Sequence, residues 1–351
     1  MQLEFKGFGD KMKLLSYNVK HTTENNLFLM VLMFLGLLLL SSIVSAVTAG
    51  KNTLTDFTPA QWLEKMQRAS MEENYKGRFM FSRGEISSSM SIVHRYKDGE
   101  EHELLKQLDG EMGEIVRQGN QVMCVFPDNR VVQLEKAKYS NKIVQSFSNF
   151  IPDHTNYRLQ AIGECRLVER PCIELAIKAV DKHRYSYSLW LDMETGLLLK
   201  SALKNDKGED LERFQYTSIT FPDKISDQDL EPMNAGSLVD HVMIPAVKKD
   251  VSWPSETKWK SEWVPPGFLL VNGNEQSGGN VLIFSDGLAN YSIFIEKIED
   301  NMMPEGASQV GATVAYSQTL IFKSHQYGVT VIGEIPAMTA MLIAESVKPQ
   351  M

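Results

Sequence analysis

The sequence predicts two α+β domains in tandem, a large one at residues 52–222 and a smaller one at residues 252–347. Short runs of alternating apolar and polar residues fill the first range, and turn-forming dipeptides such as Asp98-Gly99 separate them. A polar stretch with two prolines, residues 223–251, interrupts the alternation and is predicted to be a linker. A second set of alternating runs follows and ends in an apolar segment of helical length.

Residues 1–49 have the pattern of a leader. Leu27–Val44 is an uncharged apolar run, lysines precede it and small residues follow it. This arrangement is typical of a secretory signal peptide with cleavage near Ala46 or Ala49. A retained membrane anchor is the alternative, because the run is long for a signal peptide and close to the lower limit for a span. Both interpretations place the body of the chain, from about Lys51, outside the cytoplasm.

The composition is that of a globular protein with an acidic balance of charge. Of the 351 residues, 43% are hydrophobic, which is enough to bury a sizeable core. The net charge of -8 argues against a broad nucleic-acid-binding surface. We therefore expect no nucleic-acid partner.

Three cysteines raise the question of a disulfide. Cys165 and Cys172 flank the segment "RLVERP", and they would face each other if residues 167–170 form the tip of a hairpin. An exported protein permits such a bridge, and the alternative is two small apolar residues in a sheet. Cys124 lies in the apolar run "QVMCVF" and is expected in the core.

A helix is predicted at the start of the first domain. Thr58 is a suitable N-cap, Pro59 suits the first turn, and the helix should end near Glu72. Its apolar residues recur at helical spacing and define one face that packs on a sheet: Trp62, Leu63, Met66 and Ala69.

About ten antiparallel strands follow this helix as far as residue 221. Their predicted turns include Lys97-Asp98-Gly99, Asp109-Gly110-Glu111, Gln118-Gly119-Asn120 and Pro127-Asp128-Asn129. A sheet of this size has an apolar face that one helix is too small to cover. The remainder of that face must be covered by barrel closure, by other helices or by a ligand.

The second domain is predicted to contain about five strands and one terminal helix. In the segment "SDGLANYSIFIE", Asp286-Gly287 forms a turn that opens onto a strand. The alternation of this strand places Tyr291, Ile293 and Ile295 on one face and Phe294 on the other. The segment "IPAMTAMLIAESV" begins with proline and is predicted to be the terminal helix.

Signatures of catalysis are absent from the sequence. There is no nucleophile elbow, no metalloprotease motif and no phosphate-binding loop. His94 and His102 are separated by one turn, but such a pair is more often polar surface than a metal site. We expect no catalytic residue, no bound metal and no cofactor.

Large apolar side chains crowd the first domain, and core packing explains most of them. The part of the sheet that the helix leaves uncovered should nevertheless line a groove that suits an acyl chain or an extended apolar peptide. The candidate groove residues are Phe79, Phe81, Met90, Ile92, Phe126 and Phe147. His94 and Arg95 are candidates for binding a phosphate or carboxylate head group at its mouth, and a solvated edge strand is the alternative.

Several segments together resemble one protein family. In the second domain these are "WVPPGF", "FSDGLANYSIFIE", "GATVAYSQTL" and "VTVIGEIPAMTAMLIAESV", and in the first domain "NYKGRFMFSRG", "IVHRYKDGEEHELLKQLDG" and "YSYSLWLDMETGLLLKS". Their order and spacing over residues 56–345 are similar to those of the RseB/MucB family of sigma-E regulators. The long leader and the two cysteines of the first domain depart from the family pattern.

The resemblance implies a fold and a function. The first domain would be a large antiparallel unclosed β-barrel with helices in its mouth, similar to the lipoprotein carriers LolA and LolB. The protein would be a non-enzymatic, periplasmic, self-associating regulator that binds the periplasmic domain of the anti-sigma factor RseA/MucA. That binding would protect the anti-sigma factor from regulated proteolysis and keep sigma-E inactive. Lipopolysaccharide, another acyl lipid or a mislocalised lipoprotein in the apolar groove would release it.

The smaller domain would supply contacts to this partner. The candidate partner-binding residues are Trp253, Trp259, Trp263, Asp286, Tyr291 and Phe294. A periplasmic lipid or lipoprotein carrier is the alternative function, and the second domain argues against it because a carrier needs only the barrel. A lipid hydrolase is a further alternative, which the missing nucleophile signature disfavours.

Overall fold

The computed structural model covers the chain, and six stretches of it are described. These stretches are residues 57–126, 131–135, 155–232, 258–276, 279–298 and 305–350. The predicted leader, the turn at Pro127, Phe147 and Trp253 lie outside them. Within these stretches no helix is both long and apolar enough to cross a membrane.

Helix α1 (Pro59–Glu72) begins and ends where the sequence predicts. A capping box fixes its start: the Thr58 amide donates to the Gln61 side chain at 2.7 Å, and the Gln61 amide donates to Thr58 Oγ1 at 3.3 Å. The predicted apolar face is buried against the sheet that follows, which confirms the helix.

An eleven-stranded antiparallel sheet forms the body of the first domain. Its strands are β1 (Tyr75–Arg83), β2 (Ile86–Lys97), β3 (Glu100–Gln107), β4 (Glu114–Gln118), β5 (Gln121–Val125), β6 (Val131–Glu135), β7 (Tyr157–Leu167), β8 (Arg170–Ala179), β9 (Ser186–Asp192), β10 (Leu198–Lys204) and β11 (Asp210–Thr220). They lie in the order β6-β5-β4-β3-β2-β1-β11-β10-β9-β8-β7, so β6 and β7 are the edges within the described chain. The sheet is therefore unclosed.

The two faces of this sheet differ in what covers them. We call the face that carries α1 the inner face; its residues form one apolar cluster with Trp62, Leu63 and Met66 of the helix. On the outer face, a 3₁₀ helix (Asp227–Leu230) packs against a separate apolar cluster. The cluster under Leu230 consists of Leu104, Val116, Val125 and Val131.

Ion pairs hold the 3₁₀ helix on the outer face. Lys76 Nζ lies 2.6 Å from Asp229 Oδ1, and Arg95 Nη1 lies 2.7 Å from Asp227 Oδ1. The first residues of the predicted linker thus pack on the sheet, whereas residues 233–251 lie outside the described stretches. The predicted domain boundaries remain predictions.

A disulfide joins Cys165 of β7 to Cys172 of β8. The two residues are direct cross-strand neighbours with Cα atoms 4.8 Å apart. The hairpin tip between them places Val168 and Glu169 at positive φ, the conformation of a tight two-residue hairpin turn.

The second domain is a six-stranded antiparallel sheet with a helix on one face. Its elements are β12 (Trp259–Ser261), β13 (Leu269–Gln276), β14 (Gly279–Ser285), β15 (Asn290–Ile298), β16 (Gly306–Val310), β17 (Thr313–Phe322), β18 (His325–Gly333), α2 (Ala337–Glu345) and β19 (Val347–Pro349). The order of the large sheet is β13-β14-β15-β18-β17-β16, and β12 pairs with β19. Together the two domains confirm the predicted α+β fold class.

The predicted faces of β15 are confirmed. Tyr291, Ile293 and Ile295 are at most 1% exposed and belong to the core beneath α2. Phe294 lies on the opposite face and is partly exposed. Alternation along the strand therefore decides which side chains are buried.

Candidate functional site

The inner face of the first sheet has an accessible apolar region. Phe79 and Phe81 of β1 lie on it, and Phe79 is paired with Met90 of β2. Phe81 and Met90 are partly exposed, whereas Phe79 and Ile92 are 9% and 8% exposed. Four of the predicted groove residues are thus brought together on one face.

This region extends onto the neighbouring strands. Leu105 of β3 pairs with Ile92, and Ile115 of β4 pairs with Leu105. Leu105 packs against the inner cluster while partly exposed, and Ile115 is 36% exposed. A run of apolar side chains therefore crosses β1 to β4 with solvent on one side, which suits an acyl chain.

His94 does not lie at a mouth, and the prediction that it meets a head group there is wrong. Its side chain is 0% exposed, its ring stacks on Tyr75 at 4.9 Å, and its Nδ1 lies 2.8 Å from the Glu73 carbonyl. The backbone leaving α1 at Glu73 covers this position. Burial lowers the pKa of His94 to about 4, so the imidazole is neutral at neutral pH.

The prediction that Arg95 binds a head group at the mouth of the groove is also wrong. Arg95 follows His94 in the strand and therefore points to the outer face, where it donates to Asp227 and to the Ile225 carbonyl at 3.1 Å. The 3₁₀ helix thus engages this guanidinium. Phe126, directly after β5, is 38% exposed.

Buried charged residues that the sequence did not reveal lie beside His94. Glu103 is the cross-strand neighbour of His94 on one side and of Arg117 on the other. Glu103 and Arg117 are each 5% exposed. The inner face therefore carries an apolar region and, beside it, a row of buried polar side chains. Strand alternation predicts which residues lie on this face, but it does not predict which of them are buried.

The two domains meet through the turn that follows β14. Residues 54–351 form one compact unit, and an ion pair between Arg184 and Asp286 joins the domains. Both side chains are 0% exposed. Arg184 also donates to the Pro266 carbonyl, and the Tyr157 hydroxyl donates to Asp286 Oδ2 at 3.1 Å.

Asp286 also organises its own turn. Its Oδ1 accepts from the amides of Leu288 at 3.0 Å and Ala289 at 2.8 Å. Leu288 is 2% exposed and belongs to the inner apolar cluster of the first domain. Asp286 was predicted to contact another protein; the structure instead places its carboxylate in a contact within the chain.

Further hydrogen bonds join the two domains. The Ala312 amide, after β16, donates to Glu212 Oε1 at 3.3 Å, and Glu212 pairs with Arg83 at 2.8 Å. His183 Nδ1 lies 3.2 Å from Thr339 Oγ1. No local sequence pattern points to these residues or to Arg184 and Leu288, because each partner lies far away in the chain.

All these contacts lie at one end of the first sheet. Arg83 ends β1, Glu212 lies near the start of β11, and the loop before β9 carries Arg184. At the opposite end, Lys65 of α1 donates to the carbonyls of Met193 and Glu194, between β9 and β10. Helix α1 therefore closes one end of the inner face, and the second domain closes the other.

The other predicted partner contacts are mostly core. Trp259 is 4% exposed and Tyr291 1%, so the expectation that they offer surface to a partner is corrected. Trp263 is partly buried, with its ring 5.2 Å from that of His183 across the interface. Phe294 is partly exposed on the sheet face away from α2. The described residues contain no cluster of potential metal ligands.

Family models match both domains. The MucB/RseB N-terminal domain matches residues 58–234, and the MucB/RseB C-terminal domain matches residues 254–348. The chain belongs to the MucB/RseB family. Relatives in this family are named as regulatory proteins of sigma factors.

Two relatives cover nearly the whole chain. The sigma factor AlgU regulatory protein MucB of Pseudomonas aeruginosa is 34% identical over 323 residues, covering 90% of this chain and 96% of the relative. The sigma-E factor regulatory protein RseB of Haemophilus influenzae is 27% identical over 322 residues, covering 89% and 95%.

Solved structures of MucB share the fold of both domains. The Pseudomonas aeruginosa MucA/MucB complex matches with a TM-score of 0.66 at 32% identity, covering 84% of this chain and 99% of that one. MucB in complex with MucA(peri) matches with a TM-score of 0.64, covering 84% and 100%. MucB alone matches with a TM-score of 0.53, covering 83% and 98%.

Proposed function

We propose that this protein is a periplasmic, non-catalytic regulator that binds the periplasmic domain of an anti-sigma factor of the RseA/MucA type. In this role it shields the anti-sigma factor from regulated proteolysis and keeps sigma-E inactive. One observation carries the proposal: the chain matches both domains of a relative whose solved structures contain MucA. Export, with leader cleavage near Ala46 or Ala49, belongs to the same proposal.

The inner face of the first sheet is the proposed sensor site. Phe81, Met90, Leu105 and Ile115 present apolar surface that α1 leaves accessible. Burying apolar surface stabilises a bound chain by about 25 cal/mol per Å². An acyl chain of lipopolysaccharide, of another lipid or of a mislocalised lipoprotein fits this chemistry.

The proposed partner surface is the face of the second sheet opposite α2. Phe294 lies within it, and Ile332 beside it is 39% exposed. Ser317 and Thr330 are hydrogen-bonded to each other on the same face at 3.1 Å. An aromatic side chain surrounded by small hydroxyl groups suits a protein contact with a local apolar anchor. Trp263, at the domain interface, is the second proposed anchor.

A lipid or lipoprotein carrier is the alternative function. The accessible inner face would serve a carrier equally well. The second domain, however, packs on one end of that face through buried contacts of Arg184, Leu288 and Ala312. A carrier has no need of this arrangement, whereas a regulator needs a link between sensor and partner surface. We also propose that the protein self-associates, which is compatible with a regulator and with a carrier.

A pull-down tests the function directly. The exported protein is incubated with the periplasmic domain of the organism's anti-sigma factor, with and without lipopolysaccharide. We expect binding that the lipid weakens. Phe81→Asp should make the complex insensitive to lipid, whereas Met80→Asp, the neighbouring residue on the outer face and 44% exposed, should not.

Two further variants test the partner surface. Phe294→Asp should weaken anti-sigma binding by tenfold or more, on the order expected for a central anchor. Met338→Asp, 59% exposed on α2 at the other side of the domain, is the matched control and should bind normally. No binding by the unaltered protein in either condition would favour the carrier.

A further inference from the structure

Leu288 belongs to one domain in sequence and to the other in packing. It lies in the turn between β14 and β15 of the second domain, yet its side chain joins the inner apolar cluster of the first. It is 2% exposed. Apart from Leu288, the cluster consists of residues from α1, the large sheet and the loops between their elements. The second domain therefore contributes an apolar side chain to the same inner cluster whose accessible part we propose binds a lipid.

Leu288 is coupled mechanically to the ion pair between the domains. Asp286 Oδ1 binds the Leu288 amide at 3.0 Å, while Asp286 Oδ2 pairs with Arg184 and accepts from Tyr157. The two residues therefore belong to one hydrogen-bonded turn. We expect a displacement of the Leu288 backbone to draw Asp286 away from Arg184.

Loss of this contact would affect the rest of the interface. Arg184 is 0% exposed and would be left without its carboxylate partner from the second domain unless water entered. The Ala312 amide bond to Glu212, at 3.3 Å, lies at the same end of the sheet. Displacement of Leu288 should therefore weaken the other contacts between the two domains at this end of the first sheet.

We propose that Leu288 occupies part of the acyl-chain site, so that a lipid bound on the inner face displaces it and releases the second domain from the first. The chain enters from the accessible side, at Phe81 and Met90, and competes for the same apolar cluster. This inference rests on the proposed lipid-sensing function and names its regulation. The domain contact becomes the element that converts lipid binding into a changed partner surface.

Hydrogen exchange of the full chain tests the proposal without the partner. A single-chain lysophospholipid serves as the probe, and its binding is measured in parallel by calorimetry. We expect faster exchange of the amides of Leu288, Ala289 and Ala312 on lipid binding, because each donates a hydrogen bond at the turn or the interface. The core strand β18 should exchange at an unchanged rate.

Leu288→Ala supplies a second readout. Without the competing side chain, the lysophospholipid should bind roughly tenfold more tightly, the factor expected for the apolar area of one leucine. Met338→Ala, an exposed apolar residue on α2, is the matched control and should bind as the unaltered protein does.

Three outcomes would overturn the inference: no binding of the probe, binding without a change in exchange at the interface, or unchanged affinity in Leu288→Ala. The exchange experiment on the unaltered protein stands even where Leu288→Ala fails to fold. Anti-sigma binding in the absence of lipid is measured separately. If that binding is present while these results are negative, the inference fails and the proposed partner function stands.

Discussion

Arg184 and Asp286 are separated by 102 residues and form an ion pair between two domains, with both side chains fully buried. A pair of this kind is costly to desolvate and tolerates no loss of one member. It is supported on both sides, by Asp181 at 3.2 Å from Arg184 and by Tyr157 at 3.1 Å from Asp286. The domains are thus joined by a specific contact in addition to the chain that connects them.

Removing one member of this pair should destabilise the protein strongly. Asp286→Asn removes the fully buried carboxylate partner of Arg184 and leaves only the partly exposed Asp181, so we expect the free energy of unfolding to fall by about 3 kcal/mol. Urea denaturation followed by circular dichroism measures this change. Glu262→Gln is the control, because Glu262 and Lys260 form an exposed pair at 3.8 Å that should contribute less than about 1 kcal/mol. Equal effects of the two substitutions would contradict a buried, specific pair.

Gly311 is predicted to be essential for the second interface contact. Its φ is +59°, and a Cβ there would lie 2.3 Å from Arg83 Cγ and 3.0 Å from Glu212 Oε1. Gly311→Ala should therefore disturb the Arg83–Glu212 pair and speed hydrogen exchange at Ala312. Gly208→Ala is the matched control, since Gly208 has a φ of +82° and no atom within 4 Å of the added carbon. The control therefore measures only the loss of stability, about 1 kcal/mol, that a side chain causes at positive φ.

His94 should make the first domain sensitive to acid. Its pKa is lowered from 6.5 to about 4, chiefly by burial, with further lowering by Arg117 and His102 against the opposing effect of the Glu73 carbonyl. The unfolded chain binds a proton at His94 that the folded chain excludes. His94 therefore does not lower the free energy of unfolding above pH 6.5, and it lowers that free energy increasingly as the pH falls towards 4. The decline should be on the order of 3 kcal/mol.

Urea denaturation across this pH interval tests the role of His94. His94→Phe preserves an aromatic ring beside Tyr75 and should remove most of the decline. His325→Phe, at an exposed position after β17, is the control and should preserve it. A pH profile of His94→Phe parallel to that of the unaltered protein would show that other groups cause the acid sensitivity.

The disulfide should stabilise the protein by a small amount, because it closes only the short β7–β8 hairpin loop. It closes a loop with a sequence separation of only 7, for which about 2 kcal/mol is expected. In urea denaturation, the double variant Cys165→Ala, Cys172→Ala should have a free energy of unfolding that is lower by about 2 kcal/mol. Added reductant should shift the unaltered protein in the same direction and leave the double variant unchanged. Cys124, the remaining cysteine, is not in a disulfide and provides no alternative bridge.

Local sequence patterns predicted most of the fold. The N-cap Thr58 and the apolar spacing of α1 are local signals, and the helix begins and ends where they indicate. The alternation in β15 gave the correct faces because each strand residue must point to one side or the other.

The site was less predictable because burial depends on distant segments. Alternation showed that Tyr291 and Phe294 lie on opposite faces, but only the fold shows that α2 covers Tyr291. His94 has the same polar character as a surface residue, and its burial follows from the path of the backbone at Glu73. Arg184 lies in a polar loop, and nothing near it in the sequence points to its partner Asp286.

The pairing of β1 with β11 has a consequence for how the protein is made. These are the first and last strands of the large sheet in chain order, yet they are hydrogen-bonded neighbours at its centre. Until the chain has emerged as far as Thr220, β1 has an unpaired edge, and contacts between such distant segments form slowly. The incomplete sheet exposes apolar strands that are prone to aggregation in that interval. Protection from aggregation must therefore last until nearly two thirds of the chain is available, and the contacts of Ala312 and Leu288 with the first domain form only afterwards.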